Sequence, residues 1–168
     1  DAIASSDIKD NFAETLVNNY VRDGKNYAVP KDFDTNALWY NKDLFDQAGV
    51  EYPTDDMTYD DLVALATELK DKLPDGVYPF ACPVDFQTWY YQTVYANGGW
   101  ILNDDATETG YGDAKTQEGI QCWIDMIDAG LSPSASTLSE TGSDAMFEGE
   151  QIAMTPVSYT HLRAHETL

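Results

Sequence analysis

Segments with strand character alternate with helical segments along most of this chain, and this alternation constrains the fold more than any other feature. "NALWYN" precedes a short helical segment, and "VYPFACPV" lies between two longer helical patterns. Strands and helices that follow one another in this order pack as layers, with the helices covering a sheet. The sequence therefore predicts an α/β fold.

Three of the predicted helices have well-marked ends. Asn41 can cap "KDLFDQA", which ends at Gly49. Thr58 can cap the next helix, because acidic residues follow it in the first turn. The third helix begins at Thr116 and ends at Gly130. Its periodicity predicts a stripe that faces the core, formed by Ile120, Trp123, Ile124 and Ile127.

The remaining elements have weaker signals. Residues 7–23 fit a helix, and "NYAVP" fits a strand that Pro30 ends. The aromatic segment "FQTWYYQTVYANGGW" fits a further helix. A last short helix is predicted at Ser143–Glu148, before the apolar strand "QIAMT".

The charge of the chain excludes two classes of partner. The sequence contains 30 acidic and 9 basic residues, which gives a formal net charge of −21. A surface of this kind repels the phosphates of nucleic acids and anionic lipids, so we expect neither as a partner. No apolar run approaches the roughly 20 residues of a membrane helix. The acidity suits a protein outside the cytoplasm and is compatible with neutral ligands or cations.

Catalytic and metal-binding signatures are sparse. Residues 1–156 contain no histidine, which removes Ser–His and Cys–His catalysis and His-based zinc sites. The segment "NDDATETGYGD" lacks the alternating acids and the central glycine of a calcium loop. We therefore expect no metal, no cofactor and no histidine-dependent catalysis. A carbohydrate-active enzyme that uses two carboxylates stays open as an alternative.

The last twelve residues differ from the rest of the chain. "VSYTHLRAHETL", residues 157–168, contains both histidines and is close to neutral. It resembles a translated sequencing-adaptor segment, so we expect it not to belong to the natural sequence. The two cysteines, Cys82 and Cys122, lie in apolar contexts, which favours buried thiols over a disulfide.

Two groups of residues are candidates for ligand binding. Asp32 and Asp34 lie between the strand that Pro30 ends and the strand that begins near Ala37. If this segment crosses between two lobes, their carboxylates face a cleft and can accept hydrogen bonds from sugar hydroxyls. The alternative is an ordinary turn role.

The second group is aromatic. Phe86 and Trp89 stand at the start of the aromatic helix, where a ring can cover the C–H face of a sugar. The alternative for each ring is packing in the core.

The segment "GKNYAVPKDFDTNALWYNKDLFDQAGVEYPTDDMTYDDLVALATEL" resembles the extracellular solute-binding proteins of ABC sugar importers, the group that includes maltose-binding protein. The order continues through "FQTWYYQTVYANGGW", "AKTQEGIQCWIDMIDAGLSPS" and "AMFEGEQIAMT". The resemblance implies a two-lobed, periplasmic-binding-protein-like fold that closes on a mono- or oligosaccharide. It further implies delivery of the sugar to a permease, with no chemistry.

The resemblance also implies site residues. Asp34 matches an acidic position that contacts ligand, and Asp32 is its neighbour. Phe86 and Trp89 match a place where an aromatic ring meets the sugar. Asn97 belongs to a turn that the resemblance implies to be structural, and it is a further candidate contact.

The resemblance also divides the chain. Residues 1–30 correspond to the end of the first lobe and residues 31–36 to the crossing between lobes. Residues 37–156 then form an incomplete second lobe. We expect a fragment of a monomeric, extracellular or periplasmic receptor that is membrane-anchored at full length. A truncated fragment with no function of its own is the other alternative.

Overall fold

The computed structural model describes residues 7–31, 35–84 and 87–157 of this chain. The chain divides into two compact units, Asp1–Thr35 and Asn36–Leu168. The boundary between the units falls within the predicted crossing segment, residues 31–36.

The first unit contains short elements. A 3-10 turn, Ile8–Asn11, precedes helix α1, Glu14–Asn18, and strands β1, Val21–Arg22, and β2, Lys25–Asn26, pair in antiparallel fashion. The predicted helix over residues 7–23 and the predicted strand "NYAVP" are therefore both wrong in extent. A tight turn at Asp23 and Gly24, with φ of 49° and 71°, joins the two strands. Two residues with positive φ are the requirement of a tight hairpin turn, and Asp-Gly meets it.

The second unit is an α/β layer. Its elements follow in the order β3 Ala37–Tyr40, α2 Lys42–Ala48, α3 Tyr59–Lys70, β4 Tyr78–Phe80, α4 Gln87–Ala96, a 3-10 turn Gly110–Gly112, α5 Ala114–Asp128, α6 Ala135–Thr141, α7 Ser143–Glu148 and β5 Ile152–Val157.

Strand β5 occupies the centre of a three-stranded sheet. It pairs antiparallel with β3 on one side and parallel with β4 on the other. All six residues of β5 are buried, as expected for a central strand covered on both faces. The strand continues through Pro156 to Val157, one residue into the segment predicted not to belong to the natural sequence.

The predicted ends of the first helices are confirmed. The Asn41 side chain accepts hydrogen bonds from the backbone N–H groups of Asp43 and Leu44, at 2.9 and 3.1 Å. Gly49 ends α2 in the left-handed conformation, with φ of 62°. Thr58 and Asp61 form a reciprocal capping box at the start of α3. Helix α7 has the bounds that the sequence predicts.

Helix α5 begins earlier than predicted, and its buried face is rotated from the predicted one: Trp123 and Ile127 pack in or against the core as predicted, and Ile124 does not. Its N-cap is Asp113 rather than a residue next to Thr116, and Ile124 is 40% exposed instead of facing the core. The buried face runs through Thr116, Gly119, Trp123 and Met126. Helix α4 packs so closely on this face that a Cβ atom at Gly119 would lie 2.7 Å from Cα of Val94.

Two further elements differ from the sequence prediction. Helix α6 was not predicted, although Ser134 caps it by accepting a hydrogen bond from the Thr137 N–H at 3.1 Å. Strand β4 is limited to Tyr78–Phe80. The segment after it leaves the sheet, and the Cys82 N–H donates to the Ser132 hydroxyl at 2.9 Å.

The main core lies between the sheet and helices α3 and α5. Phe80 and Trp123 meet edge to face with ring centroids 5.7 Å apart, and Nε1 of Trp123 donates to the Pro83 carbonyl at 3.0 Å. Cys82 is buried and Cys122 is half-buried, and both are free thiols, as predicted. Burial raises the pKa of each thiol. Among the described residues, no helix is both long and apolar enough to cross a bilayer.

The contact between α4 and α5 gives a stability prediction. We expect Gly119→Ala to lower the free energy of unfolding by about 1–3 kcal/mol, because the added methyl group meets backbone atoms that cannot move aside. This loss outweighs the gain of about 1 kcal/mol in helix propensity. Urea denaturation followed by circular dichroism measures the difference.

Gly112→Ala is the matched control, because a Cβ atom there has nothing within 4 Å. A Gly119→Ala protein as stable as the Gly112→Ala protein would contradict the close approach of the two helices.

Candidate functional site

The mixed sheet brings three strand ends to one edge. Ala37, at the start of β3, pairs with Val157 at the end of β5. Phe80, at the end of β4, pairs with Met154, and the next N–H, of Ala81, donates to the Met154 carbonyl at 3.0 Å. The carboxyl ends of β4 and β5 therefore point toward the edge where β3 begins, with β4 ending three residues earlier than β5. In α/β sheets, ligands bind in the crevice outside the carboxyl ends of the strands.

A cleft of about 420 Å³ lies over this edge, entirely within the second unit. Helix α3 contributes its N-terminal end to the wall, and α4 contributes its middle and end. The lining residues are Asn36, Ala37, Leu38, Met57, Thr58, Tyr59, Leu62, Phe80, Gln92, Thr93, Ala96, Trp123 and Pro156.

None of these lining residues is charged, although the chain carries a net charge of −21. Apolar and aromatic side chains form most of the wall, and a few amides and hydroxyls lie among them. A concave apolar surface with a small number of polar groups is typical of sites for small molecules. The absence of charge in this lining favours a neutral ligand over an ionic one.

The rim of the cleft at α3 is fixed by the capping box. Asp61 accepts hydrogen bonds from the Thr58 hydroxyl at 2.6 Å and from the Thr58 N–H at 2.9 Å. These bonds hold the pKa of the Asp61 carboxyl below its usual range. Tyr59, the next residue, donates its hydroxyl hydrogen to Sδ of Met126 at 3.4 Å, and burial raises its pKa well above the usual value. Tyr59 is therefore a neutral, fixed part of the wall.

Three of the five predicted contact residues, Asp32, Asp34 and Phe86, lie outside the described residues. Their roles stay predictions. Described residues close to them in the sequence show which strands these segments adjoin. Asn36 directly precedes β3, and Cys82 lies two residues after the end of β4. The chain thus enters and leaves the sheet at the edge where the sequence predicts ligand contacts.

Trp89 lies in the first turns of α4 and is 8% exposed. Its ring belongs to the main core, together with Phe80, Cys82 and Trp123. Little of the residue is therefore accessible in this structure.

Asn97 lies beyond the other end of α4, about 12 Å further along the helix axis. Its side-chain N–H₂ group donates to the Lys115 carbonyl at 2.9 Å and to the Glu118 carboxylate at 3.2 Å. Two residues on, a Cβ atom at Gly99 would lie 2.8 Å from Cα of Thr116. The turn therefore fastens the end of α4 to the start of α5, and the structure does not bring Asn97 and Trp89 together.

Sequence reasoning missed the residues that α3 and α4 add to the cleft. Tyr59 and Leu62 line it because a helix that precedes a parallel strand starts near the carboxyl end of that strand. Gln92 and Ala96 are four residues apart on α4 and therefore face the same way. This small, partly polar stripe was the signal, but the aromatic residues around it were more conspicuous.

The sequence of this chain matches a known family over nearly its whole length. The family described as bacterial extracellular solute-binding protein matches residues 2–166. The chain belongs to this family. This membership confirms the predicted resemblance to solute-binding proteins. The proteins of this family bind solutes outside the cytoplasm.

Individual relatives agree with this membership. A binding protein of Brucella abortus is 30% identical over 158 residues, which cover 92% of this chain and 38% of the relative. An arabinooligosaccharide-binding protein of Halalkalibacterium halodurans is 27% identical over 158 residues, covering 89% of this chain and 34% of the relative.

A solved structure also matches. It is an ABC substrate-binding protein from Listeria monocytogenes in complex with cycloalternan, with 32% identity and a TM-score of 0.79. The match covers 92% of this chain and 39% of that protein. The predicted α/β chain of a two-lobed, periplasmic-binding-protein-like fold is confirmed, and the chain spans about two fifths of the length of the relatives that it matches.

The capping box gives a prediction about pH. Because the folded protein holds the pKa of Asp61 low, its carboxylate stabilises the fold above the unfolded pKa of about 3.9, and this stabilisation is lost as the pH falls through the lower, folded value. We expect Asp61→Asn to be less stable than wild type at pH 7 and to lose less stability between about pH 5 and pH 3. Urea denaturation across this pH range measures the effect.

Asp60→Asn is the control, because it removes the same charge from the same turn but leaves the capping box intact. Equal pH profiles for the two variants would show that the box does not couple Asp61 to folding.

The Asn97 contact gives a further prediction. We expect Asn97→Asp to cost more than about 1 kcal/mol of unfolding free energy, because it removes two donated hydrogen bonds and places a second carboxylate beside Glu118. Thermal and urea unfolding measure the cost. In a Glu118→Gln background the penalty should be smaller, since the repulsion is gone. A penalty of the same size in both backgrounds would show that residue 97 does not interact with Glu118.

Proposed function

We propose that the full-length protein binds a neutral saccharide outside the cytoplasm and hands it unaltered to the permease of an ABC importer. The observation that carries this proposal is the uncharged cleft at the carboxyl edge of the sheet in a chain of net charge −21. Relatives described as binding arabinooligosaccharide and cycloalternan support a saccharide as the ligand.

The cleft suits the chemistry of a sugar. A pyranose or furanose ring has apolar C–H faces and a rim of hydroxyl groups. Leu38, Met57 and Leu62 are at least partly exposed and supply apolar surface, and Gln92 supplies an amide at the same wall. A carboxylate acceptor strengthens binding further, because hydrogen bonds to charged groups are about twice as strong as neutral ones.

Asp32 and Asp34 are the acceptors in this proposal, and Phe86 is the ring that covers the apolar face of the sugar. Trp89 contributes less surface to the ligand in this proposal, since only 8% of the residue is accessible. Asn97 keeps the turn between α4 and α5 in place and contacts ligand only if the sugar extends past the end of α4.

The wider assignment is also a proposal. Residues 1–30 form the end of a first lobe, residues 31–36 the crossing and residues 37–156 most of a second lobe. Closure of the two lobes around the sugar buries it and presents a changed surface to the permease. The full-length receptor is a membrane-anchored monomer and performs no catalysis.

The test uses the full-length protein and defined sugars: maltotriose, arabinotriose and cycloalternan. We expect saturable binding of at least one of them by isothermal titration calorimetry, with a change in tryptophan fluorescence. Asp34→Asn should weaken this binding about tenfold to a hundredfold, and Asp32→Asn should weaken it less, because a hydrogen bond to a charged group contributes about 1.5–3 kcal/mol.

Asp71→Asn is the matched control, since it removes one exposed carboxylate at the far end of α3 from the cleft. Chromatography of the recovered sugar should show it intact. A wild-type protein that binds none of the three sugars, or one that cleaves them, would overturn the proposed function.

A further inference from the structure

A group of tyrosines lies on the outer side of α4, apart from the core. Tyr91 and Tyr95 belong to the helix, and Tyr111 reaches them from the 3-10 turn Gly110–Gly112. The hydroxyl oxygens of Tyr91 and Tyr111 are 3.3 Å apart, and the rings of Tyr91 and Tyr95 meet edge to face at 6.3 Å. We call these three residues the tyrosine patch. It is accessible, since Tyr95 is 56% and Tyr111 is 42% exposed.

Contacts with Tyr90 and Gln117 hold the tyrosine patch in place. Tyr90 packs edge to face on Tyr91, at 5.1 Å between ring centroids, and is itself packed against the main core. The Gln117 side-chain N–H₂ group donates to the Tyr111 carbonyl at 3.1 Å, which fixes the turn. The rings are therefore ordered before any ligand arrives, and little conformational entropy is lost when one binds.

The Tyr91 hydroxyl group has a raised pKa. The hydrogen bond with Tyr111, with a smaller contribution from burial, raises the pKa of Tyr91 to about 12. Tyr91 consequently remains a neutral phenol at any physiological pH. The patch thus combines uncharged aromatic surface with hydroxyl groups that both donate and accept hydrogen bonds.

None of the three tyrosines lines the cleft, but Tyr95 lies three residues from Gln92, which does, and is therefore its neighbour on the surface of α4. Tyr91 and Tyr95 are four residues apart and share one stripe of the helix. Gln92 and Ala96, which line the cleft, form the adjacent stripe one position later, about 100° around the helix. A ligand that leaves the cleft on this side of α4 therefore meets the patch next.

We infer that the tyrosine patch is an outer saccharide subsite, and that the ligand of the full-length protein is an oligosaccharide that extends from the cleft over Tyr95 and Tyr111. This inference rests on the proposed function. The exposed ring of Tyr95 can cover the C–H face of a sugar unit, and the hydroxyls of Tyr91 and Tyr111 can bond its hydroxyl rim. The patch is uncharged, and its aromatic surface carries hydroxyl groups. It therefore suits a neutral, polyhydroxylated ligand better than it suits the apolar surface of another protein.

The test measures affinity against chain length in the full-length protein. The probes are maltose through maltohexaose and arabinobiose through arabinohexaose, titrated by calorimetry. In the series that binds, we expect affinity to rise with length. Tyr95→Ala should remove most of that rise, about threefold to tenfold for the longest sugar, and leave the shortest sugar unchanged. Tyr95→Trp should preserve the rise, because it keeps a ring at this position.

Two controls separate the patch from general effects. Ile124→Ala truncates another exposed apolar side chain on a neighbouring helix, and it should leave every affinity unchanged. Tyr52→Phe removes a hydroxyl bonded to Asp46, whereas Tyr111→Phe removes one from the patch, so only the latter should weaken binding of the long sugars.

The outcomes are distinct. If wild type binds sugars with an affinity that does not change with length, or if Tyr95→Ala weakens short and long sugars equally while it melts like wild type, the outer subsite is overturned and the proposed function stands. If wild type binds no sugar of either series, the outer subsite is overturned, and the proposed function is overturned as well only if cycloalternan also fails to bind.

Discussion

The buried central strand β5 determines how the second unit is arranged. Its two neighbours run in opposite directions, β3 antiparallel and β4 parallel to it. Because of this mixture, β4 runs toward the edge of the sheet at which β3 begins and β5 ends, although Phe80 pairs with Met154, three residues before Val157. The cleft depends on this coincidence, since Ala37, Phe80 and Pro156 come from three different strands and meet only there.

Features set by neighbouring residues could be predicted from the sequence, and features set by distant ones could not. The caps at Asn41 and Thr58 depend on groups within three residues, so their bonds follow from the local sequence. The buried face of α5 depends on α4, because Gly119 allows the backbone at Val94 to approach. A prediction from the spacing of apolar side chains gives no weight to a glycine. It therefore assigned Ile124 to the core, although Ile124 is exposed.

The candidate site follows the same division. The sequence predicted ligand contacts in residues 31–36 and 86–89, and the described residues beside these segments, Asn36 and Trp89, lie next to strand β3 and in helix α4. It did not find Tyr59, Gln92 or Thr93, which belong to helices and reach the cleft only after packing. The individual contacts of Asp32, Asp34 and Phe86 stay predictions.

Charge links the cleft to the tyrosine patch. Several carboxylates have local structural roles, as Asp61 and Asp113 do at helix starts, and carboxylates exposed to water are screened within about 8–10 Å at physiological ionic strength. The lining of the cleft and the three tyrosines carry no charge, and in the proposed outer subsite they act together as one neutral strip on an acidic molecule. An anionic ligand approaching this strip would be repelled by the surrounding field, whereas a neutral, extended ligand would not. The strip therefore selects for neutrality by its surroundings and for length by its shape.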